Sequence, residues 1–224
     1  INHAFWEIAK KDGGFIIRST DEGADAKHFA QYEACVKQHP NTRVMLSIGG
    51  LTRCGYFSEM ATTEESRAGF IQSCVDTLRD HAFLGGIDID WEYPGVARSG
   101  AGNDQGNPVR GDDFGNYTLL MKELRAALDA AFGAGEKWLT ACASGSVGTL
   151  KKQDYAALHF YLDRVNIMTY DMTGSYDGET GFHTSLYGAR GADAAVTYLL
   201  SLGVPPGKIA IGSPLYSHGW KNVD

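Results

Sequence analysis

Cysteine is scarce in this sequence, and its placement argues against two common uses of the residue. The four cysteines are widely spaced and form no C-x-x-C pair, which disfavours a zinc site or a disulfide framework. Cys74 falls on the apolar face of a predicted helix and Cys142 at the end of a predicted strand. We therefore predict buried free thiols, which leave the cellular compartment open.

The sequence also lacks long runs of one residue class. No window of 18 residues is apolar throughout, so no membrane partner is expected, and residues 1–5 lack the basic-then-apolar layout of a signal peptide. Lysine and arginine are dispersed and the net charge is −7, which argues against nucleic acid as a partner. A neutral polymer such as a glycan fits this charge better. The seven histidines show neither H-E-x-x-H nor another close pair, so no metal is predicted.

Apolar residues, which the chain does have, indicate one folded unit. They form 43% of 224 residues, enough for one large core and too few for two ordinary α/β domains. Strand-like apolar runs alternate with helical patterns, which is typical of a parallel sheet built from βα units. The predicted strands are Ile1–Phe5, Arg43–Ile48, Gly86–Glu92, Trp138–Ala143, Val165–Thr169 and Lys208–Gly212. The predicted helices are Glu64–His81, Asp113–Phe132 and Ala192–Leu202, the first with a capping box of Thr62 and Glu65.

Three carboxylates at alternate positions, Asp88, Asp90 and Glu92, are the most informative feature. Successive side chains of a strand point to opposite faces, so the three acids share one face while the intervening Ile and Trp residues share the other. Positions two apart on a strand lie about 6–7 Å from each other, which couples their ionisation. At least one proton is then retained near neutral pH, as a general acid requires.

Two other interpretations of this carboxylate ladder exist. Acidic side chains on one face can form the solvated side of an antiparallel edge strand, or can bind a divalent cation. The apolar helix end before the strand and Pro94 after it instead indicate a central strand of an α/β protein. Three acids on one face of such a strand are costly unless a site uses them.

The segment from Asp88 to Pro94 closely resembles the active-site strand of family 18 glycoside hydrolases, the chitinases, whose pattern is D-x-x-D-x-D-x-E. Three further motifs match this family in the expected order. They are Ser47–Gly50 (S-x-G-G), Met168–Asp171 (M-x-Y-D) and Gly212–Tyr216 (G-x-P-x-Y). Four motifs in register over nearly the whole chain make the resemblance specific.

The resemblance implies an α/β fold, the (β/α)8 TIM barrel, with a catalytic barrel domain over residues 1–224. Only six strands are predicted where a barrel has eight, so the first and eighth strands are expected to be missing and the domain truncated at both ends. The loop Gly95–Gly111 follows the carboxylate strand at the barrel end that carries active sites. It either shapes the substrate cleft or is an inert surface loop.

The resemblance also implies roles for four catalytic residues in substrate-assisted, retaining hydrolysis. Glu92 donates a proton to the glycosidic oxygen, and Asp90 accepts a hydrogen bond from the substrate acetamide. Asp88 holds Asp90 by sharing a proton or hydrogen bond. Tyr170 donates its hydroxyl to the acetamide oxygen. Further residues are expected to bind substrate or support these groups: Ser47, Gly49, Gly50, Tyr93, Met168, Asp171, Tyr216 and Trp220.

Each of these accessory residues also has a structural interpretation. Tyr170 can be a packed strand-end aromatic residue, Ser47 can end a strand, Gly49 and Gly50 can form a turn with positive φ, and Met168 can be core. The chain departs from the family pattern at three sites. Gly85 stands for the first acid, Leu51 for the Trp after S-x-G-G, and Ser217-His218 for the Gly-Arg after the last Tyr.

The implied activity is hydrolysis of β-1,4 bonds in chitin and chito-oligosaccharides, with no metal and no organic cofactor. An endo-β-N-acetylglucosaminidase acting on N-glycans and a non-catalytic chitin-binding lectin on the same fold are the alternatives. Such lectins commonly lack the acid at the position of Glu92, which this chain keeps. Family resemblance also implies a secreted or extracellular protein.

Overall fold

The computed structural model describes residues 1–221 and 223; residues 222 and 224 of the predicted domain lie outside this description. A seven-stranded sheet carries helices between its strands. The strands are β1 (Asn2–Lys11), β2 (Gly14–Ser19), β3 (Val44–Gly49), β4 (Leu84–Asp90), β5 (Trp138–Ser144), β6 (Arg164–Met168) and β7 (Ile209–Ile211). The helices are α1 (Glu22–Gln38), α2 (Phe57–Ala61), α3 (Glu64–Asp80), α4 (Asp113–Phe132), α5 (Val147–Leu150), α6 (Tyr155–Leu158) and α7 (Ala192–Ser201). A 3₁₀ turn, Pro206–Lys208, precedes β7.

The sheet has the strand order β2-β1-β3-β4-β5-β6-β7. All neighbours pair in parallel except β1 and β2, which form an antiparallel hairpin. Parallel strands joined by helices are what the sequence predicts. Within residues 1–221 and 223 the edge strands β2 and β7 do not pair, so the sheet is not closed.

The prediction of six strands is wrong, because the first predicted strand is half of a hairpin. β1 continues to Lys11, and Asp12 and Gly13 form the two-residue turn to β2, with φ of +50° and +82°. Positive φ at both turn residues is what the right-handed twist of a hairpin favours. Strand β2 therefore covers one edge of the parallel sheet.

The helices differ from the prediction at two points. Helix α1 was not predicted; it begins after Asp21, whose side chain accepts a hydrogen bond from the Ala24 amide. In α3 the capping box consists of Thr63 and Ser66, one position later than predicted. α4 has the predicted bounds and ends at Gly133, with φ of +101°.

The sheet separates an apolar layer from a polar one. Ile87 and Ile89 of β4 are fully buried in the core that α3 and α4 complete with Phe70, Leu78 and Leu124. The opposite face of the central strands carries polar side chains, and in register across three strands lie Ser47, Asp88 and Thr140. The alternation of the strands thus gathers the predicted site on one side of the sheet.

All four cysteines are free, as predicted. Cys54 and Cys74 are buried, whereas Cys35 and Cys142 are only partly buried, so the predicted burial is wrong for these two. Cys74 is fully enclosed on the apolar face of α3. Across the described part of the chain, every helix is too short or too polar to cross a membrane.

Candidate active site

The carboxylate ladder begins in β4 and continues past its end. Trp91 points away from the acids, stacks on Phe57 at 5.3 Å between ring centroids, and donates its indole N–H to Asn107 at 2.8 Å. This anchor fixes the backbone from which Asp90 and Glu92 project. Asp88 is fully buried, Asp90 is 4% exposed, and Glu92 lies at the surface of a cleft.

Asp88 accepts hydrogen bonds from side chains of three neighbouring strands. Ser47 donates to Oδ2 at 2.7 Å, so this predicted residue contacts Asp88 and supports it. Thr140 and Asn166 donate to Oδ1, and the Cys142 thiol lies 3.6 Å from Oδ2. A carboxylate satisfied this fully is held in one orientation and can stay buried.

Asp90 contrasts with Asp88 because its Oδ1 is buried and accepts no hydrogen bond. The predicted hydrogen bond between Asp88 and Asp90 is absent from the described contacts, since Asp88 is occupied by its other partners. Burial, and then the charges of Glu92 and Asp88, raise the pKa of Asp90 well above its usual value. An unpaired buried carboxylate oxygen is costly, and Asp90 lies outside the lining of the cleft beside Glu92.

Glu92 lies beyond the strand that was predicted to include it. β4 ends at Asp90, whose carbonyl accepts from Gly50 N, while the Glu92 amide donates to the Cys54 sulfur at 3.2 Å. Burial raises the pKa of Glu92 to about 7, against the lowering effect of the positive charge on Arg98. Glu92 can therefore hold and release a proton near neutral pH.

The loop Gly95–Gly111 is fastened to the carboxylate strand. Its Asn107 is fully buried, and besides accepting from Trp91 it donates to the carbonyls of Tyr93 and Val96 at 2.7 Å. Arg98 of the loop pairs with Asp104 and also donates to the Leu51 carbonyl. The loop does not line the main cleft, but its Arg98 acts on Glu92 through charge.

Gly49 and Gly50 have positive φ values of +112° and +77° at the end of β3. A Cβ at Gly49 would lie 2.2 Å from the Asp90 carbonyl oxygen, and one at Gly50 would lie 2.7 Å from the Phe5 ring. Both glycines allow β3 to approach its neighbours closely, and neither lines the cleft.

Substituting Gly49 with alanine is expected to lower the free energy of unfolding by about 1–3 kcal/mol. Alanine disfavours the φ of +112° at this position, and its Cβ would overlap the Asp90 carbonyl oxygen. Gly207→Ala is the matched control, since a Cβ there meets no heavy atom within 4 Å. Urea denaturation compares the two variants with the parent. Equal midpoints for all three would contradict this role of Gly49.

The cleft beside Glu92 has a volume of about 570 Å³. It is lined by the predicted residues Glu92, Tyr93, Met168, Tyr170 and Asp171. Of the other predicted residues, Ser47 is buried against Asp88, and Trp220 is 38% exposed and outside the cleft lining. Tyr216 contacts the site indirectly, because its hydroxyl donates to Asp171 Oδ2 at 2.8 Å.

Tyr170 and Asp171 follow the end of β6 and line the cleft. Burial, and then electrostatic repulsion by the ionisable groups of Cys142, Asp90 and Glu92, raise the pKa of Tyr170, so its phenol remains a proton donor. Asp171 has φ of +54° and is contacted by His218, whose Nε2 lies 3.0 Å from Asp171 Oδ1.

Several residues of the site were missed from the sequence. Thr140 and Cys142 alternate on β5 and face Asp88, as Asn166 does from β6. Polar residues at every second position of an otherwise apolar strand could have indicated them. Other unpredicted residues line the cleft: Ser144, Gly145, Thr149, Met172, Tyr176, Arg190 and His218.

Comparisons with known proteins agree with this geometry. The profile of the glycosyl hydrolases family 18 matches residues 1–224. Chitinase A1 of Niallia circulans is 35% identical over 210 residues, which are 87% of this chain and 29% of that protein. The chain therefore spans less than a third of that relative's length.

Solved structures extend the likeness to the backbone. A family 18 N-acetylglucosaminidase from Paenibacillus barengoltzii superposes with a TM-score of 0.79 at 33% identity, over 94% of this chain and 60% of that one. A Group IV chitinase of Ostrinia furnacalis, solved in complex with allosamidin, gives 0.82 at 28% identity, over 95% and 57%. The predicted fold class is confirmed, with a sheet that stays open within the described residues.

Proposed function

The chain belongs to the glycosyl hydrolases family 18, and from this premise we propose that it hydrolyses β-1,4 bonds between N-acetylglucosamine units of chitin. The observation that carries the proposal is the pairing of two unequal carboxyl groups. Asp90 has a buried oxygen without a partner, and Glu92 has a pKa raised to about 7 at the wall of an open cleft. One group is suited to bind an N–H and the other to donate a proton.

In the proposed first step, Glu92 transfers its proton to the glycosidic oxygen as the bond to the anomeric carbon breaks. The substrate's own acetamide oxygen forms the new bond to that carbon, which yields an oxazolinium intermediate and a released alcohol. Asp90 accepts the acetamide N–H, and the positive charge that develops beside it favours its ionised form, which in turn stabilises that charge. The Tyr170 hydroxyl orients the attacking oxygen.

In the second step the ionised Glu92 takes a proton from water. The water oxygen attacks the anomeric carbon, the bond to the acetamide oxygen breaks, and Glu92 is protonated again. Two displacements on one carbon retain its configuration. Asp88, which the Ser47, Thr140 and Asn166 side chains hold in one orientation, acts on Asp90 through its charge, which raises the pKa of Asp90.

Residues 1–224 are proposed to belong to one catalytic domain, and the cleft to bind the sugar rings. Tyr93 and Met168 supply apolar surface there, while Asp171 supplies a hydrogen-bond acceptor. Secretion stays a prediction. Release of a chromophore from a nitrophenyl chitobioside by the full-length protein tests the activity. Affinity for oligosaccharide without turnover would instead support the lectin, and release of intact N-glycans would support the endo-glycosidase.

The pH profile provides a prediction of its own. Glu92 must be protonated to act as the acid, so kcat/KM is expected to fall as pH rises through about 7. Because the charge of Arg98 lowers the pKa of Glu92, Arg98→Gln should move this alkaline limb to higher pH. Initial rates across pH 5–10 measure both, and an alkaline limb that Arg98→Gln leaves in place would contradict the assignment.

A further inference from the structure

A cluster of Asp171, His183 and His218 lies where the cleft meets the last described residues. Three ligand atoms, one from each side chain, fall within 4.8 Å of one another. His218 Nε2 is 3.0 Å and His183 Nδ1 is 3.8 Å from the same Asp171 Oδ1. The two imidazole rings stack with 4.4 Å between centroids and 10° between planes.

We propose that these three side chains form a binding site for a divalent transition-metal ion such as Zn²⁺. Two imidazole nitrogens and one carboxylate oxygen are ligands that Zn²⁺ prefers, and three protein ligands leave a fourth position for water or substrate. Mg²⁺ and Ca²⁺ prefer oxygen ligands and should bind poorly. The site goes beyond the proposed hydrolase chemistry, which uses no metal.

The separations of the ligand atoms suit a small tetrahedral ion. Bonds of about 2.0–2.2 Å put two ligand atoms of a tetrahedral zinc site about 3.3–3.6 Å apart. The distances from Asp171 Oδ1 to His218 Nε2 and to His183 Nδ1, 3.0 Å and 3.8 Å, bracket that range. The stacked imidazole rings must turn out of their parallel arrangement, about the side-chain torsions, to direct one nitrogen lone pair of each at a shared ion.

The surroundings hold the ligands in a usable form. The Tyr216 hydroxyl donates to Asp171 Oδ2, which leaves Oδ1 facing the histidines. The Asp171 amide donates to His183 Nδ1 at 3.4 Å, so this contact must open, or Nε2 must serve instead, when His183 binds an ion. The hydrogen bond from Tyr216 orients the carboxylate ligand.

The site depends on His218. Its imidazole offers a nitrogen lone pair, whereas an arginine at this position would carry a fixed positive charge that cannot bind a metal and would repel one. Its side chain is 32% exposed, so an ion can reach it from the cleft.

Titration calorimetry with ZnCl₂ on the full chain tests the proposal. The parent is expected to bind one equivalent of Zn²⁺. The dissociation constant should rise by about tenfold or more in His218→Ala and in His218→Arg. MgCl₂ should give no comparable heat. His39→Ala is the matched control, because His39 is exposed at the end of α1, and it should bind Zn²⁺ as the parent does.

Two results would overturn the site: no Zn²⁺ binding by the parent, or equal binding by the parent and both His218 variants. An equal loss of Zn²⁺ binding in His39→Ala would also overturn it, since binding would then be general to surface histidines.

If the proposed function holds, Zn²⁺ should also inhibit hydrolysis by occupying Asp171, and a chelator should restore the activity. Failure of hydrolysis alone would leave the calorimetric result standing, so the two proposals are tested separately.

Discussion

Replacement of Glu92 by glutamine is expected to lower kcat/KM for chito-oligosaccharides by about 10²–10⁴-fold, which is the contribution of a positioned general acid. Glutamine keeps the shape of the side chain but cannot deliver a proton to the glycosidic oxygen. Glu92 is at the cleft wall and outside the sheet ladder, so the fold should be retained. Rates are measured with a chito-oligosaccharide and with a nitrophenyl chitobioside.

The comparison of these two substrates separates proton donation from binding. A nitrophenolate leaves without help from an acid, whereas a sugar hydroxyl needs a proton, so the loss should be smaller for the nitrophenyl substrate. Glu65→Gln is the control, because Glu65 is exposed on α3 and remote from the cleft lining. A Glu92→Gln variant as fast as the parent on the oligosaccharide would refute the assignment.

The sequence predicted the centre of the site well because its signal is local. Alternation within one strand is enough to place Asp88 and Asp90 on one face opposite Trp91, and the structure has that arrangement. Glu92 was predicted inside the strand but follows it. The end of β4 depends on the hydrogen bond that the Gly50 amide, next to β3, donates to the Asp90 carbonyl. No local sequence pattern predicts such a contact.

The missed elements have physical reasons as well. Asp12-Gly13 is a strong hairpin signal, and the flanking runs Ile8–Lys11 and Phe15–Ile17 could have revealed β2. Helix α1 has a weak apolar pattern, since only Asp25 and Phe29 are buried along its length.

Contacts between distant segments were beyond any spacing rule. The approach of His183 and His218 to Asp171 arises where the segment after β6 meets the segment after β7. A search for histidines close together in the sequence misses such a cluster, because its members are distant along the chain. The partners that Asp88 receives from β5 and β6 depend on sheet register in the same way.

Asp90→Asn is expected to separate stability from catalysis. Loss of the carboxylate charge removes both the acceptor of the acetamide N–H and the stabilisation of the oxazolinium, at a cost of about 10²–10³-fold in kcat, as for other preorganised electrostatic groups. The same change removes a buried acid that lacks a partner for Oδ1, so the variant should not be destabilised.

The stability difference should depend on pH in a defined direction. Because the folded-state pKa of Asp90 is raised, the folded protein binds more protons than the unfolded chain once pH exceeds the usual value of about 4. Parental stability then falls as pH rises from there through the raised pKa, and Asp90→Asn lacks this part of the fall. Urea midpoints at pH 5 and pH 8 measure it, with Asp193→Asn, an exposed residue of α7, as the control. A variant that loses stability equally at both pH values, or that keeps parental kcat, would mean that Asp90 is a structural residue and that its unpaired oxygen serves no ligand.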